Sequence, residues 1–435
     1  MQIELFPNRE NVFIDTKKNK SNKETRTGTF VDNMKLPIHR WFRYSAGFSA
    51  EWVENVILDY KKNNLVVLDP FSGSGTTVLA AEHIGVKSYG FESHPFISKI
   101  AKAKLLWNKV STKEFLYRSK YLVKEANNAK FNIKKNPILL KKCYSEEALL
   151  KLSSLKEIFL KTNNDEPIDK LIWLSITSIL RSCSHVGTAQ WQYILPNKTK
   201  SKVLDPFDAF IAKSDQIAND IIFAQSNYLS NSSVIHHDSR NKFNLPNNSV
   251  DLVITSPPYP NNYDYADAAR LEMTFWGDIN SWSDLNSFVR KFIIRSCSQH
   301  SAADKINLEE ILSNDYLHPI VEDIEKICHK LAEIRLTKGG KKTYHTMIAA
   351  YFFDISKVMQ NLRYVCKNKS SKLCFVIGDS APYGIHVPTE QWIERLAIYW
   401  GFEKCRFEKI RDRNVKWKNR KHNVPLQEGR LWIDG

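Results

Sequence analysis

Two short strings in this chain combine residue types that can do chemistry. Thr255-Ser256-Pro257-Pro258-Tyr259 follows the apolar run Leu252-Val253-Ile254. Consecutive prolines hold the backbone extended and remove two N–H donors. The string therefore presents a hydroxyl and carbonyl acceptors beside a rigid aromatic face. Such acceptors suit an amino group conjugated into a ring, which is a poor nucleophile on its own. Taking hydrogen bonds from both its N–H groups, through Ser256 and the Pro257 carbonyl, pushes the nitrogen lone pair outward. Tyr259 offers a surface on which the ring can stack. The second string is Asp69-Pro70-Phe71-Ser72-Gly73-Ser74-Gly75-Thr76-Thr77. Gly73 and Gly75 let the backbone turn tightly and approach a ligand without a side-chain clash.

Acids follow at telling places. Glu92 ends the next expected strand, where a doubly wound sheet places a carboxylate for ribose hydroxyls. Asp238 ends the one after, in VIHHDSRN, within reach of an adenine amino group. The glycine spacing departs from GxGxxG and the lysine of a P-loop is absent, so a dinucleotide fits less well. Taken together, the first string resembles the first motif of the DNA amino-methyltransferases, and TSPPY resembles their fourth. The resemblance covers roughly residues 36–108, 231–262 and 346–435.

That resemblance implies S-adenosylmethionine as cofactor, held by Asp69, Pro70, Phe71, Gly73, Gly75, Thr76, Thr77, Glu92 and Asp238. It implies a catalytic set of Ser256, Pro257, Pro258 and Tyr259, acting on a base flipped out of double-stranded DNA. In related enzymes an aromatic-rich segment before the cofactor strand closes over the methionine end, which here nominates Tyr44 and Phe48. Ser at position 256 resembles the cytosine-N4 enzymes, and adenine N6 is the alternative target. The cytosine-C5 enzymes use a thiolate after proline, and none of the sixteen prolines here precedes a cysteine. Two other readings stay open: an RNA base amino-methyltransferase, and a non-catalytic nucleic-acid-binding protein on the same fold. A cognate restriction endonuclease is a further possible partner.

These strings need an α/β frame to position them. Leu65–Leu68 reads as a buried parallel strand, followed by a helix over about 76–83 and a strand ending at Glu92, a βαβ unit. Strand signals return at 233–237 and 250–255. From Tyr351 the pattern predicts a helix to about Val365, the strand KLCFVIGD, a helix over 389–400 and two strands near Phe407 and Leu431. Ser49 is placed to cap a helix. The expected fold is a Rossmann-like methyltransferase sheet with helical insertions. A flexible segment occupies 1–35 and core 36–108. A basic helical insertion, the first choice for target recognition, spans 109–230. Core strands follow at 231–262, a second helical insertion at 263–345, and the rest of the core at 346–435. His185, a lone loop histidine, reads as structural.

Composition sets the partners. The net charge is +16, which favours a polyanion. Lys102–Lys142 holds twelve Lys or Arg against Glu114 and Glu125. Lys130, Lys134 and Lys135 there, and Lys416 with Trp417 in the basic stretch 409–423, are the candidate DNA contacts. Seven scattered cysteines without a CxxC argue against disulfides and zinc, so no metal is expected. With no apolar leader or long apolar run, a cytoplasmic protein without membrane contact is expected.

Overall fold

The computed structural model describes residues 29–44, 47–129, 133–188, 194–261, 263–413 and 424–435. Seven strands form one sheet: β1 (Val66–Asp69), β2 (Lys87–Glu92), β5 (Ser232–His236), β6 (Leu252–Thr255), β7 (Lys372–Gly378), β8 (Lys404–Arg413) and β9 (Leu426–Asp434). Their order is β5-β2-β1-β6-β7-β9-β8. The first five are mutually parallel. β9 lies antiparallel between β7 and β8. β3 (Val186–Thr188) and β4 (Ile194–Thr199) form a separate antiparallel hairpin, which the expectation of a purely helical insertion did not include.

Successive strand residues face opposite sides, and both sides are apolar, as a doubly covered parallel sheet requires. Val67, Leu252, Ile254, Cys374 and Val376 pack under helices α1 (Ala50–Asp59) and α2 (Thr76–Ile84). Their neighbours Leu68, Val253, Leu373, Phe375 and Ile377 pack against the helices that cover the other face. Ser49 caps α1, accepting the Trp52 N–H at 3.4 Å. The strand order reverses between β1 and β6. Open α/β sheets bind ligands outside the carboxyl ends of the strands at such a point.

The remaining longer helices are α3 (Pro95–Lys104), α4 (Thr112–Asn128), α5 (Glu146–Thr162), α6 (Pro167–Ile179), α7 (Pro206–Asn227), α8 (Val321–Thr337), α9 (Tyr344–Val365) and α10 (Thr389–Tyr399). α4 to α7 build a core of their own with α3, and it also takes in Leu271, Phe275, Leu285, Val289 and Ile293. α8, α9 and α10 pack on the sheet together with Ile294, Leu312 and Leu317. Segment 263–345 is thus shared between two cores, and the boundary falls between Ile293 and Ile294. Arg181 ties the helical layer across to Glu272, with Nε to Oε1 at 2.5 Å and Nη2 to Oε2 at 2.9 Å. Among the described residues no helix is long and apolar enough to cross a membrane. All seven cysteines are free thiols.

Candidate functional site

The turn after β1 is shaped by glycine. Gly73 and Gly75 adopt φ of +52° and +92°, the left-handed region that a Cβ disfavours. A Cβ on Gly73 would lie 2.9 Å from Tyr44 Cε1, so only glycine lets that ring close down on the turn. The Ser72 N–H reaches the Phe91 carbonyl and holds the turn against β2.

Asp69 organises the turn from beneath. It is 1% exposed. Its Oδ1 accepts from Thr255 Oγ1 at 2.6 Å and from the Phe71 N–H, and its Oδ2 accepts from Thr77 Oγ1 at 2.7 Å. Burial pushes its carboxyl up to about 6, and these three donors oppose the rise. One carboxylate therefore locks the turn after β1 to the end of β6, next to Ser256. Asp69 and Thr77 lie in this internal tie and are not among the residues that line the pocket.

The pocket opens above. It is lined by Tyr44, Phe48, Phe71, Ser72, Gly73, Ser74, Thr76, Glu92, Ser93, His94, Ser256, Pro258, Tyr265, Ile293 and Ile294, among others. Of the residues nominated from sequence, Tyr44, Phe48, Phe71, Gly73, Thr76, Glu92, Ser256 and Pro258 meet in this one cavity. Glu92 accepts the Gly73 N–H at 2.8 Å on one oxygen and the His94 N–H at 2.7 Å on the other. Burial pushes its carboxyl up to about 7, with the nearby Asp69 adding to the rise and the two N–H groups opposing it.

Pro70, Gly75, Pro257 and Tyr259 do not line the cavity. Pro70 offers its carbonyl to Ser239 Oγ at 2.6 Å, and Gly75 ends the turn as the residue before α2. Asp238 does not line it either. Its carboxylate is bonded by Arg240, with contacts of 2.7 to 3.1 Å. Arg240 and Arg295 both bond the buried Asp354 of α9. Tyr259 has the Arg413 guanidinium over its ring at 5.1 Å. Its phenol is hydrogen-bonded to the Ser256 side chain and is raised well above its usual range by burial. Lys134 and Lys135 are exposed. Lys130, Lys416 and Trp417 lie outside the described residues.

The sequence reading passed over Ser72, Ser74, His94, Tyr265, Ile293 and Ile294. Among the described residues, the hydroxyls of Ser72 and Ser74 and both ring nitrogens of His94 are buried without a hydrogen bond to another residue. Orphaned polar atoms around one cavity are what a polar ligand would satisfy.

Comparison with known proteins agrees with this geometry. The N6/N4 methyltransferase family model, described as DNA methylase, matches residues 4–103. The Type II methyltransferase M.BsoBI of Geobacillus stearothermophilus is 26% identical over 443 residues, covering 92% of this chain and 84% of its own. M.AvaI of Nostoc sp. is 25% identical over 411 residues, covering 86% and 81%. The chain is similar to the DNA amino-methyltransferases, by the family model over its first hundred residues and by these relatives over most of its length. A shorter match, to M2.LlaDCHI of Lactococcus lactis, reaches 45% identity over 53 residues, 12% of this chain. Likeness to DNA methyltransferases implies S-adenosylmethionine as methyl donor. The cavity fits it: a glycine turn beneath Tyr44, a buried carboxylate at the end of β2, and the orphaned polar atoms between them.

Proposed function

We propose that the protein methylates the N4 amino group of cytosine in double-stranded DNA, at a specific sequence, as the modification enzyme of a restriction-modification system with a cognate endonuclease. One observation carries the reading: Ser256 and Pro258, at the end of β6, open onto the same pocket as Gly73, Glu92 and Phe48. Likeness to the DNA methylase family model and to the Type II methyltransferases supports DNA as substrate, and the Type II naming of those relatives supports the restriction-modification setting.

S-adenosylmethionine, when bound, supplies a sulfonium-activated methyl group to the amine lone pair, with the electrons of the S–CH3 bond returning to sulfur. The chain's part is placement. Glu92 and the turn 70–76 hold the nucleoside end, and Tyr44 and Phe48 cover the methionine end. Ser256 and the Pro257 carbonyl accept the two amino N–H bonds and aim the nitrogen in line with the methyl carbon. Tyr259 stacks on the flipped base. No side-chain base is required, because the surplus amino proton leaves to water.

The test is to incubate purified protein with labelled S-adenosylmethionine and either DNA or RNA, digest the product and identify the nucleoside by mass spectrometry. N4-methylcytosine in DNA is expected. N6-methyladenine would keep the enzyme class and replace the base. Label found only in RNA would overturn the substrate.

A further inference from the structure

His94 stands at a junction. It follows the carboxylate that ends β2 by two residues and immediately precedes Pro95, the first residue of α3. Its backbone N–H is already spent on Glu92 Oε1. It is 2% exposed, lines the cavity, and among the described residues its ring nitrogens bond no other residue. A buried imidazole without a neighbouring side chain or backbone group to bond is costly unless a ligand serves it.

The surroundings say which ligand group fits. Each oxygen of Glu92 takes one backbone N–H and keeps lone-pair capacity for a hydroxyl proton. A ribose diol that gives its protons to Glu92 turns its own oxygen lone pairs toward the adjacent wall. That wall then needs a donor. A neutral imidazole supplies one N–H and keeps one acceptor. Burial, with His236 nearby, holds the His94 ring neutral, its pKa pushed down to about 3.

We infer that His94 is a cofactor-binding residue whose ring N–H donates to a ribose hydroxyl of the adenosine moiety that Glu92 also holds. The inference rests on the S-adenosylmethionine reading of the cavity and adds a residue that selects ribose over deoxyribose.

Calorimetry with S-adenosylhomocysteine and its 2′-deoxy and 3′-deoxy analogues tests it on the full chain. His94→Phe keeps a flat ring without polar atoms and is expected to weaken S-adenosylhomocysteine on the order of tenfold. For the analogue that lacks the contacted hydroxyl, wild type and variant should bind within about twofold of each other. His94→Asn, which keeps a donor, should recover much of the loss. Equal weakening toward all three ligands, or none toward any, would overturn the contact. Should the Phe variant not fold, ¹⁵N resonances of the His94 ring in the wild type decide: they shift on adding S-adenosylhomocysteine, and unchanged resonances would refute the bond. Wild type that fails to bind S-adenosylhomocysteine at all would instead remove the cofactor reading itself.

Discussion

The sheet and the helical layer beside it meet at the pocket on different terms. On the sheet side the turn after β1, Glu92 at the end of β2 and Ser256 after β6 come from strand ends, joined by Phe48 from the segment before α1. The strand ends are fixed by parallel pairing and by Asp69, whose bonds to Thr77 and Thr255 make the turn and the proline string one rigid unit. On the other side Tyr265 and Ile293 come from a segment that shares its core with α4 to α7. That layer is pinned by side-chain ion pairs, Arg181 to Glu272 and Arg290 to Asp264. The sheet side is thus a backbone-defined frame, whereas the wall facing it is held by side-chain packing in the helical core together with these buried ion pairs. Such a wall can be retuned without disturbing the frame.

That contrast can be broken most severely at its pins. Arg181→Ala leaves Glu272, itself fully buried, without its cation. Breaking a buried pair this way costs about 4 kcal/mol, read as a lower urea midpoint. Affinity for S-adenosylhomocysteine in the folded variant should stay within about threefold, since the frame is untouched. Next comes Ser256→Ala, which removes one acceptor from the frame. Turnover should fall about a hundredfold, or about 2.7 kcal/mol, with DNA affinity nearly unchanged in a filter-binding assay. Glu92→Ala should then weaken S-adenosylhomocysteine by about 2 kcal/mol in calorimetry, and unchanged affinity in a folded variant would remove Glu92 from the site.

Smaller effects sharpen the comparison. Reversing Lys134 and Lys135 to Glu in the helical layer should weaken duplex DNA binding roughly tenfold at 0.1 M salt and flatten its salt dependence. Cofactor affinity should not change. The smallest effect is a slope. Burial raises the Glu92 carboxyl from its ordinary 4.5 to about 7. Between those values the folded chain keeps a proton that the unfolded chain releases. Stability therefore falls as pH rises from about 4.5 to 7 and is level above it. Glu92→Gln should remove that fall, visible as a flatter thermal midpoint across pH 4.5–8.

The frame was legible in sequence because its signals are local. The strand–turn–helix of 66–84 and the strand before Ser256 rest on short apolar runs, glycines and prolines that mean the same thing in any context. Even the Ser49 cap was readable. The opposing wall was not, because Tyr265, Ile293 and Ile294 carry no spacing signal and reach the pocket only by tertiary packing. The β3–β4 hairpin was missed for a related reason, lying in a segment without a turn dipeptide between its strands. His94 had a signal that went unused, a polar residue between the β2 acid and a helix-starting proline. Asp238 carries a signal of its own kind: Arg240, two residues on, bonds the same carboxylate.

The position of β9 bears on how the chain is made. β7 and β8 do not touch as neighbours; each pairs with β9, which is later in sequence than both. As the chain leaves the ribosome, β7 can dock beside β6 at once, yet its other edge stays open until Leu426 and the residues after it emerge. An unpaired apolar edge invites pairing with another chain. The nascent protein therefore passes through a stage in which its pocket-bearing half is assembled while an adhesive edge is exposed. A premature stop ahead of Leu426 would freeze it there, giving a product expected to aggregate rather than to accumulate as a soluble, half-active enzyme.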